Sequence, residues 1–220
     1  MSNELEGKVA IVTGGASGLG EGLSRRFAAE GAKVLIGDID SDAGAALAKD
    51  IGADAHFVEA DVAELDQVSG LVSTAVEKFG GLHVMVNNAG VSGTMHRSLF
   101  DDDLTDFDKV MRVNVRAVMA GTRDAARHMR EAGGGGSIIN IASVQSELAR
   151  PGIAPYTATK GAVRNLTRGM CADWAKYGLQ INAIAPGYFK TPLNQALVDN
   201  PEFSSWLEKR TPAGRWGNVE

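Results

Sequence analysis

Disulfides are excluded at the outset. The 220-residue chain has one cysteine, Cys171, and a single thiol cannot build an internal framework. No stretch approaches the roughly 18 consecutive apolar residues of a membrane span, so no membrane association is expected. The N-terminal Met1-Ser-Asn-Glu-Leu-Glu6 is acidic, where a secretory leader is basic and then apolar. Cytoplasmic residence is therefore the default expectation. Positive charge is scarce too. Twenty-two lysines and arginines face 27 acids, a formal charge of −5. With no basic run to neutralise phosphates, nucleic acid is not an expected partner. The four histidines, His56, His83, His96 and His128, lack metal-ligand spacing, and no metal is expected.

What the chain has in quantity is glycine, 27 residues, which directs attention to tight turns and phosphate loops. Hydrophobic residues at 44% and charged residues at 22% are an ordinary globular balance. The length suits one domain, residues 1–220. A chain of this size buries roughly 70–75% of its unfolded surface and needs no staple.

Short apolar runs alternate with longer amphipathic stretches. Strands are expected at 8–13, 33–37, about 55–58, 82–86, 137–141 and 180–184. Helices are expected to about 30, over 41–51 with Ser41 as a cap, over about 64–79, 106–131 and 154–177, and across 193–210. Strands too apolar to alternate, separated by such helices, describe a parallel sheet covered on both faces. Right-handed crossovers make it a doubly wound α/β sheet.

Between the first strand and its helix lies Thr13-Gly-Gly-Ala-Ser-Gly-Leu-Gly20. Glycines there let backbone approach a pyrophosphate, and the helix N-terminus beyond offers N–H groups and a positive dipole end. The spacing of Gly14, Gly18 and Gly20 is neither the commoner G-x-G-x-x-G nor a P-loop; a purely structural turn is the rival reading. Asp38 ends the second strand, where an acid accepts from an adenosine ribose; alternatively it is a solvated turn carboxylate beside Asp40 and Asp42. A carboxylate at 38, with uncharged Ser17 opposite, would repel a 2′-phosphate, so NAD is expected over NADP. Asp61-Val62 and Asn87-Asn-Ala-Gly90 follow the third and fourth strands, the strand ends at which such sheets bind ligands. Asp61 could accept from the adenine amino group. Asn87 could be a structural residue bonding neighbouring backbone, a ligand contact, or both together.

Tyr156-Thr-Ala-Thr-Lys160 puts a phenol and an ammonium on one helical face. A phenol titrates at about 10, and lowering that by ~2 units takes about 2.7 kcal/mol of differential interaction. A nearby cation supplies interaction of this sign, which suits Tyr156 to general acid/base work. Ser143, just past a strand, reads as a partner for the substrate oxygen or as a simple cap. Asn114 sits inside the long expected helix, where asparagine is a mediocre former. A local distortion, a buried polar contact or plain surface placement would each explain it.

With these motifs together the chain resembles the short-chain dehydrogenase/reductase family, from about residue 8 to 217. The motifs in family order are Thr13-Gly14…Gly18…Gly20, Asp61, Asn87-Asn-Ala-Gly90, Asn114, Ser143, Tyr156…Lys160 and Pro186-Gly187…Thr191. The resemblance implies hydride transfer between a nicotinamide dinucleotide and a secondary alcohol or ketone. It implies a tetrad in which Tyr156 exchanges the hydroxyl proton and Ser143 orients the oxygen. Lys160 would hold the ribose and depress the tyrosine pKa, and Asn114 would position a relay water. Leu19, Val62, Ala89, Gly90, Pro186, Gly187 and Thr191 join Gly14, Ser17, Gly18, Gly20, Asp38, Asp61, Asn87, Tyr156 and Lys160 as expected cofactor contacts. Backbone near Tyr188 and Phe189 would help hold the carboxamide. A homo-oligomer, dimer or tetramer, is also implied. The family sheet has seven strands and six are found here. Asn218-Val-Glu220 reads as a helix start, so the chain is expected to be C-terminally incomplete.

The 146–150 and 211–217 segments are similar to sugar-acid dehydrogenases of the gluconate 5-dehydrogenase kind. The N-terminal half is closer to alcohol, steroid and 3-oxoacyl reductases. Arg97, Arg150 and Lys190 are candidates to pair with a substrate carboxylate. A binding or regulatory protein on the same fold, without turnover, is the alternative.

Overall fold

Apolar strands of a parallel sheet must be covered on both sides, and the chain meets that demand with two layers of helices. The computed structural model describes residues 3–94 and 104–219; His96, Arg97 and Glu220 lie outside them. The strands β1 (Val9–Thr13), β2 (Lys33–Asp38), β3 (Ala55–Glu59), β4 (Val84–Asn87), β5 (Gly136–Ile141) and β6 (Leu179–Ile184) pair in parallel throughout. Their order is β3-β2-β1-β4-β5-β6, the doubly wound arrangement expected. The six strands of the sequence reading are the six found among the described residues, with β6 last in the order.

Alternate residues of each strand feed opposite cores. Ile11, Leu35, Met85 and Ile138 pack with Leu71, Val72 and Ala75 of α3 (Leu65–Phe79) and with Met129 of α5 (Ala117–Ala132). Val12, Val34, Ile36 and Val86 pack with Leu23 and Phe27 of α1 (Gly18–Ala29) and Leu47 of α2 (Ser41–Ile51). Each such side chain, once buried, contributes roughly 1.5–3 kcal/mol. No helix among the described residues is long and apolar enough to cross a membrane.

The structure departs from the sequence reading in four places. The cap of α2 is Asp40, whose carboxylate accepts from the Ala43 N–H. Ser41 is already helical and donates instead to Glu59 at 2.6 Å. The long helix is α4 (Thr105–Met111) and α5 joined by a π-helical segment, Arg112–Arg116, so the distortion expected around Asn114 is present. The 193–210 stretch is two helices, α7 (Gln195–Val198) and α8 (Pro201–Arg210), because Pro201 cannot continue a preceding helix. Residues 218 and 219 are not helical; Val219 packs where a Cβ on Gly22 of α1 would stand.

At the end of the sheet opposite the strand C-termini, the Nδ1 of His83 accepts the Val9 N–H at 3.0 Å, a bond only a neutral imidazole can accept. Burial, with the charges of Lys8 and His128, lowers its pKa from 6.5. A lowered histidine contributes stability that is intact above the unfolded value and is lost as pH falls from 6.5 towards the folded one. His56 shifts the same way, through burial and Lys78. The melting temperature should therefore drop between about pH 7.5 and 5.5. His83→Asn, which keeps an acceptor but cannot titrate, should drop less over that interval. Equal slopes in a calorimetric series would rule out His83 as a source.

Candidate active site

At β1 and β4 the chain order reverses, and the helices that follow diverge to opposite faces, leaving a crevice beyond the strand ends. It is a cleft of about 1070 Å³. Gly14 and Gly18 on its floor take φ of +59° and +53°, a region other residues adopt only under strain. A Cβ on Gly20 would lie 1.9 Å from the Gly14 carbonyl oxygen, so α1 can begin against this turn only with glycine there. Ser17 stands at the N-cap of α1 without a capping side-chain bond, which keeps helix-end N–H groups available to an anion. Gly14, Ser17, Gly18 and Leu19 line the cleft while Gly20 lies behind it.

Asp38, Asp61 and Val62 line the same cleft. The Asp38 carboxylate is tied to the turn, accepting from the Ala16 N–H at 2.9 Å and from the Asp40 N–H at 3.1 Å. Asp61 accepts from the Ala63 N–H. Ala89 and Gly90 reach the cleft, but Asn87 does not. Asn87 donates to Asn140 at 2.9 Å and Thr122 at 3.0 Å inside the core, the structural role. Its neighbour Asn88 is the residue sequence reasoning passed over. It lines the cleft and its amide donates to the carbonyls of Thr13 and Gly14, both at 2.9 Å. The signal was available: Asn88 is the first residue beyond β4, at a strand end.

Tyr156 opens α6 (Ala154–Trp174) and Lys160 follows one turn later. The two face each other, with the Lys160 Nζ 5.6 Å from the phenol ring centroid. Lys160 is 4% exposed and donates to the Ile141 carbonyl at 2.7 Å. Ser143 follows β5, lines the cleft with Tyr156, and caps the short turn Val144–Ser146 through the Gln145 N–H. The capping role weighed for it is present, and it lines the cleft as the other role would require. Asn114 is fully buried; its side chain accepts from the Val91 N–H and donates to the Val91 carbonyl and the Thr159 hydroxyl. A Cβ on Gly90 would stand 3.3 Å from the Asn114 Oδ1 and 3.6 Å from the Lys160 Nζ, so Gly90 is where these two side chains converge.

Burial governs the titration. It pushes the Tyr156 phenol above its ordinary value; the Ser143 hydrogen bond and the Arg150 charge act downward and Tyr188 acts upward. Burial also pulls Lys160 down to about 8. The Lys160 ammonium is itself engaged by the Ile141 carbonyl.

After β6, Pro186, Gly187, Tyr188, Phe189 and Thr191 line the cleft, with Thr191 3.3 Å from where a Gly18 Cβ would lie. Of the candidate carboxylate partners, Arg150 lines the cleft. Lys190 is exposed and does not, and Arg97 is outside the described residues. Gln145, also unforeseen, donates to the Tyr188 hydroxyl at 3.1 Å. Tyr188 in turn packs edge-on to Phe203, Trp206 and Trp216. The expected i, i+3, i+4 face of α8 is therefore a packed one: Leu207 is fully buried and Phe203 and Trp206 join this aromatic group.

Three comparisons place the chain. Residues 8–202 match the family model described as short chain dehydrogenase. A gluconate 5-dehydrogenase of Gluconobacter oxydans is 46% identical over 221 residues, covering 98% of this chain and 84% of that protein. Among solved structures, a gluconate 5-dehydrogenase from Burkholderia cenocepacia J2315, in complex with NADP and tartrate, superposes with a TM-score of 0.91. It is 49% identical and covers 99% of this chain and 86% of its own. A 3-ketoacyl-(acyl-carrier-protein) reductase from Brucella melitensis, complexed with NADH, also gives 0.91, at 35% identity over 98% of this chain and 87% of its own.

Gly20→Ala tests the glycine turn directly. The new methyl must displace the Gly14 backbone. Overpacking of this kind costs about 1–3 kcal/mol, and NADH affinity should fall by about tenfold or more in a fluorescence titration. Unchanged affinity would place the nucleotide elsewhere.

Proposed function

The chain belongs to the short-chain dehydrogenase family, and from that premise we propose that it moves a hydride between NAD(H) and a secondary alcohol or ketone, with Tyr156 as general acid/base. The observation that carries this reading is the Tyr156–Lys160 pair, with the ammonium 5.6 Å from the phenol ring centroid and Ser143 beside it, opening on the same cleft as the glycine turn. A protein that only bound dinucleotide would have no use for such a pair, so the non-catalytic alternative is not favoured.

The residues fit a dinucleotide. Gly14 and Gly18 hold the turn on the cleft floor in the left-handed region, and the uncapped first turn of α1 offers N–H groups beside it. Asp61, Val62, Ala89 and Gly90 would hold the adenosine half; Lys160, Pro186, Gly187 and Thr191 would hold the nicotinamide half. The bound dinucleotide supplies the hydride acceptor or donor. The chain supplies the rest. Ser143 and Tyr156 together hydrogen-bond the substrate oxygen, fixing it for transfer. In reduction the phenol gives its proton to that oxygen, and the Lys160 ammonium stabilises the phenolate left behind. Asn114 keeps the Val91 and Thr159 side of the site in place, and a relay of the proton to solvent through Lys160 belongs to the same proposal. So does a cytoplasmic homo-oligomer as the working form.

Tyr156→Phe should lower kcat on the order of 10³-fold while NADH still binds; full activity in the variant would end the acid/base assignment. Lys160 is charged below its value of about 8 and neutral above it. The kcat/KM for ketone reduction should therefore hold near neutral pH and decline as pH rises through about 8, whereas a flat profile to pH 10 would exclude the lysine from this role.

NAD is proposed over NADP because Asp38 presents a carboxylate at the ribose end of the cleft, with uncharged Ser17 lining the same cleft. Asp38 is held by the turn backbone and cannot swing away without breaking that bond. NADH should bind about tenfold or more tightly than NADPH, and Asp38→Ala should narrow the gap. Tighter NADPH binding by the unaltered protein at equal ionic strength would overturn the preference.

A further inference from the structure

Asn114, Ser143, Tyr156 and Lys160 are carried by three separate segments: the π segment, the turn after β5 and the first turn of α6. Their spacing therefore depends on what ties those segments together. Two hydroxyls that do not line the cleft make such ties. Thr159 is fully buried. Its hydroxyl accepts from the Asn114 amide at 3.1 Å and donates to the Tyr156 carbonyl at 2.7 Å. Ser146, partly buried, ends the short turn that Ser143 caps. Its hydroxyl donates to the Lys160 carbonyl at 2.9 Å and accepts from the Ser143 N–H at 3.4 Å. Thr159 thus joins Asn114 to Tyr156, and Ser146 joins Ser143 to Lys160. A helical threonine often bonds back to its own preceding turn, but the Asn114 amide on the same hydroxyl comes from 45 residues away. The end of α6 needs such support. Its N-cap, Ile153, makes no capping side-chain bond, and helix ends without support fray.

We infer that Thr159 and Ser146 are positioning residues for hydride transfer, two hydroxyls that hold the first turn of α6 in register with Asn114 on one side and Ser143 on the other. Neither touches the reacting atoms. Each acts through the backbone of the turn that carries Tyr156 and Lys160. Reacting groups must be held to within about 0.5 Å of their productive geometry, and a misplacement of about 1 Å costs on the order of 10²-fold in rate. A tie made by one hydroxyl to two members of the site is short enough to work at that scale. The inference rests on the reading that Tyr156 exchanges a proton with a carbonyl oxygen in this cleft. It adds which side chains outside the site set the distances within it.

The test follows loss of NADH absorbance in a single turnover. Protein is in excess over NADH, so the rate is that of occupied sites and does not depend on the folded fraction. The ketone is whichever of 5-keto-D-gluconate, ethyl acetoacetate and cyclohexanone the unaltered protein reduces fastest. Thr159→Val, which keeps the shape and removes the hydroxyl, should slow transfer at saturating ketone by about tenfold or more. Ser146→Ala should slow it about three- to tenfold, since its 3.4 Å bond to Ser143 is the longer tie. In both, the Kd for NADH and the half-saturating ketone concentration should move by about twofold or less, because the loss lies in the transfer step. Thr159→Ser and Ser146→Thr, which keep a hydroxyl, should each return to within about threefold of the unaltered rate. Met129→Ala is the control for lost stability alone. It opens the core at the start of β5, so it should lower the melting temperature and leave the rate unchanged. Should Thr159→Val fail to fold, Ser146→Ala at the partly buried turn carries the same test. Unaltered rates in Thr159→Val and Ser146→Ala, losses that the hydroxyl-bearing variants do not recover, or an equal loss in Met129→Ala each overturn the positioning role. Tyr156→Phe separates this outcome from failure of the underlying reading. If it abolishes transfer while the two hydroxyl-less variants run at the unaltered rate, only the positioning role falls. If it transfers at the full rate, or if the unaltered protein oxidises NADH with none of the three ketones, both fall.

Discussion

The joint between β1 and β4 is the constraint on which the site depends. These strands are neighbours in space but not in sequence, so the segments leaving them turn to opposite faces of the sheet. A crevice at that point is a consequence of connectivity, but a crevice lined by bare strand ends would leave backbone groups unpaired. Thr13 and Asn88 resolve this across the joint. The Thr13 hydroxyl donates to the Val86 carbonyl and accepts the N–H groups of Asn88 and Ala89. The Asn88 amide, in the other direction, takes the carbonyls of Thr13 and Gly14. Each unmet group here would cost about 1–3 kcal/mol, and the reciprocal bonds also fix the glycine turn to the strand that carries Ala89 and Gly90.

Beneath the cleft the same logic runs deeper. Asn87, Thr122, Asn140 and Thr167 form a buried chain of hydrogen bonds linking β4, α5, β5 and α6. Asn114 does the equivalent for the loop at Val91 and for Thr159 on α6. Such networks are worth little more than an apolar core in stability, but they tolerate few alternative arrangements. They hold the helix bearing Lys160 and Tyr156 at a set height above the sheet. The π segment around Asn114 belongs here, because π-bulges shift the register of a helix face at functional positions.

Much of this was legible in the chain. Near-continuous runs such as residues 9–13 and 33–36 admit little besides a doubly covered strand, and the glycine turn and the Tyr156/Lys160 spacing mark where the chemistry lies. The irregularity at Asn114 was readable from propensity, but its partners were not. Val91 and Thr159 are 23 and 45 residues away, and local patterning carries no information over that distance. The exchange of roles between Asn87 and Asn88 has the same origin: strand alternation says that one faces in and one out, and the register that decides which is set by the paired strands. Ser41 and Asp40 are both good caps, and the choice fell to Asp40 because Ser41 finds Glu59 on β3. The path of residues 193–210 turned on one proline.

Titration was the least legible property, since it depends on how completely the fold encloses two side chains whose spacing alone suggested an ion pair. Desolvation penalises whichever form is charged. It therefore raises the phenol and lowers the ammonium, leaving the lysine to lose its proton before the tyrosine does. At neutral pH the lysine, with its value of about 8, still carries its proton, and the phenol carries its own. The resting state thus has a proton ready on Tyr156 and a cation beside it whose benefit is largest only once that proton has gone. Burial that strengthens this cation also narrows the pH range over which it exists. An additional permanent charge on the same wall relieves that conflict. The Arg150 guanidinium does not titrate in this range, acts on the phenol in the same direction as the Ser143 hydrogen bond, and does so from a position in contact with the cleft.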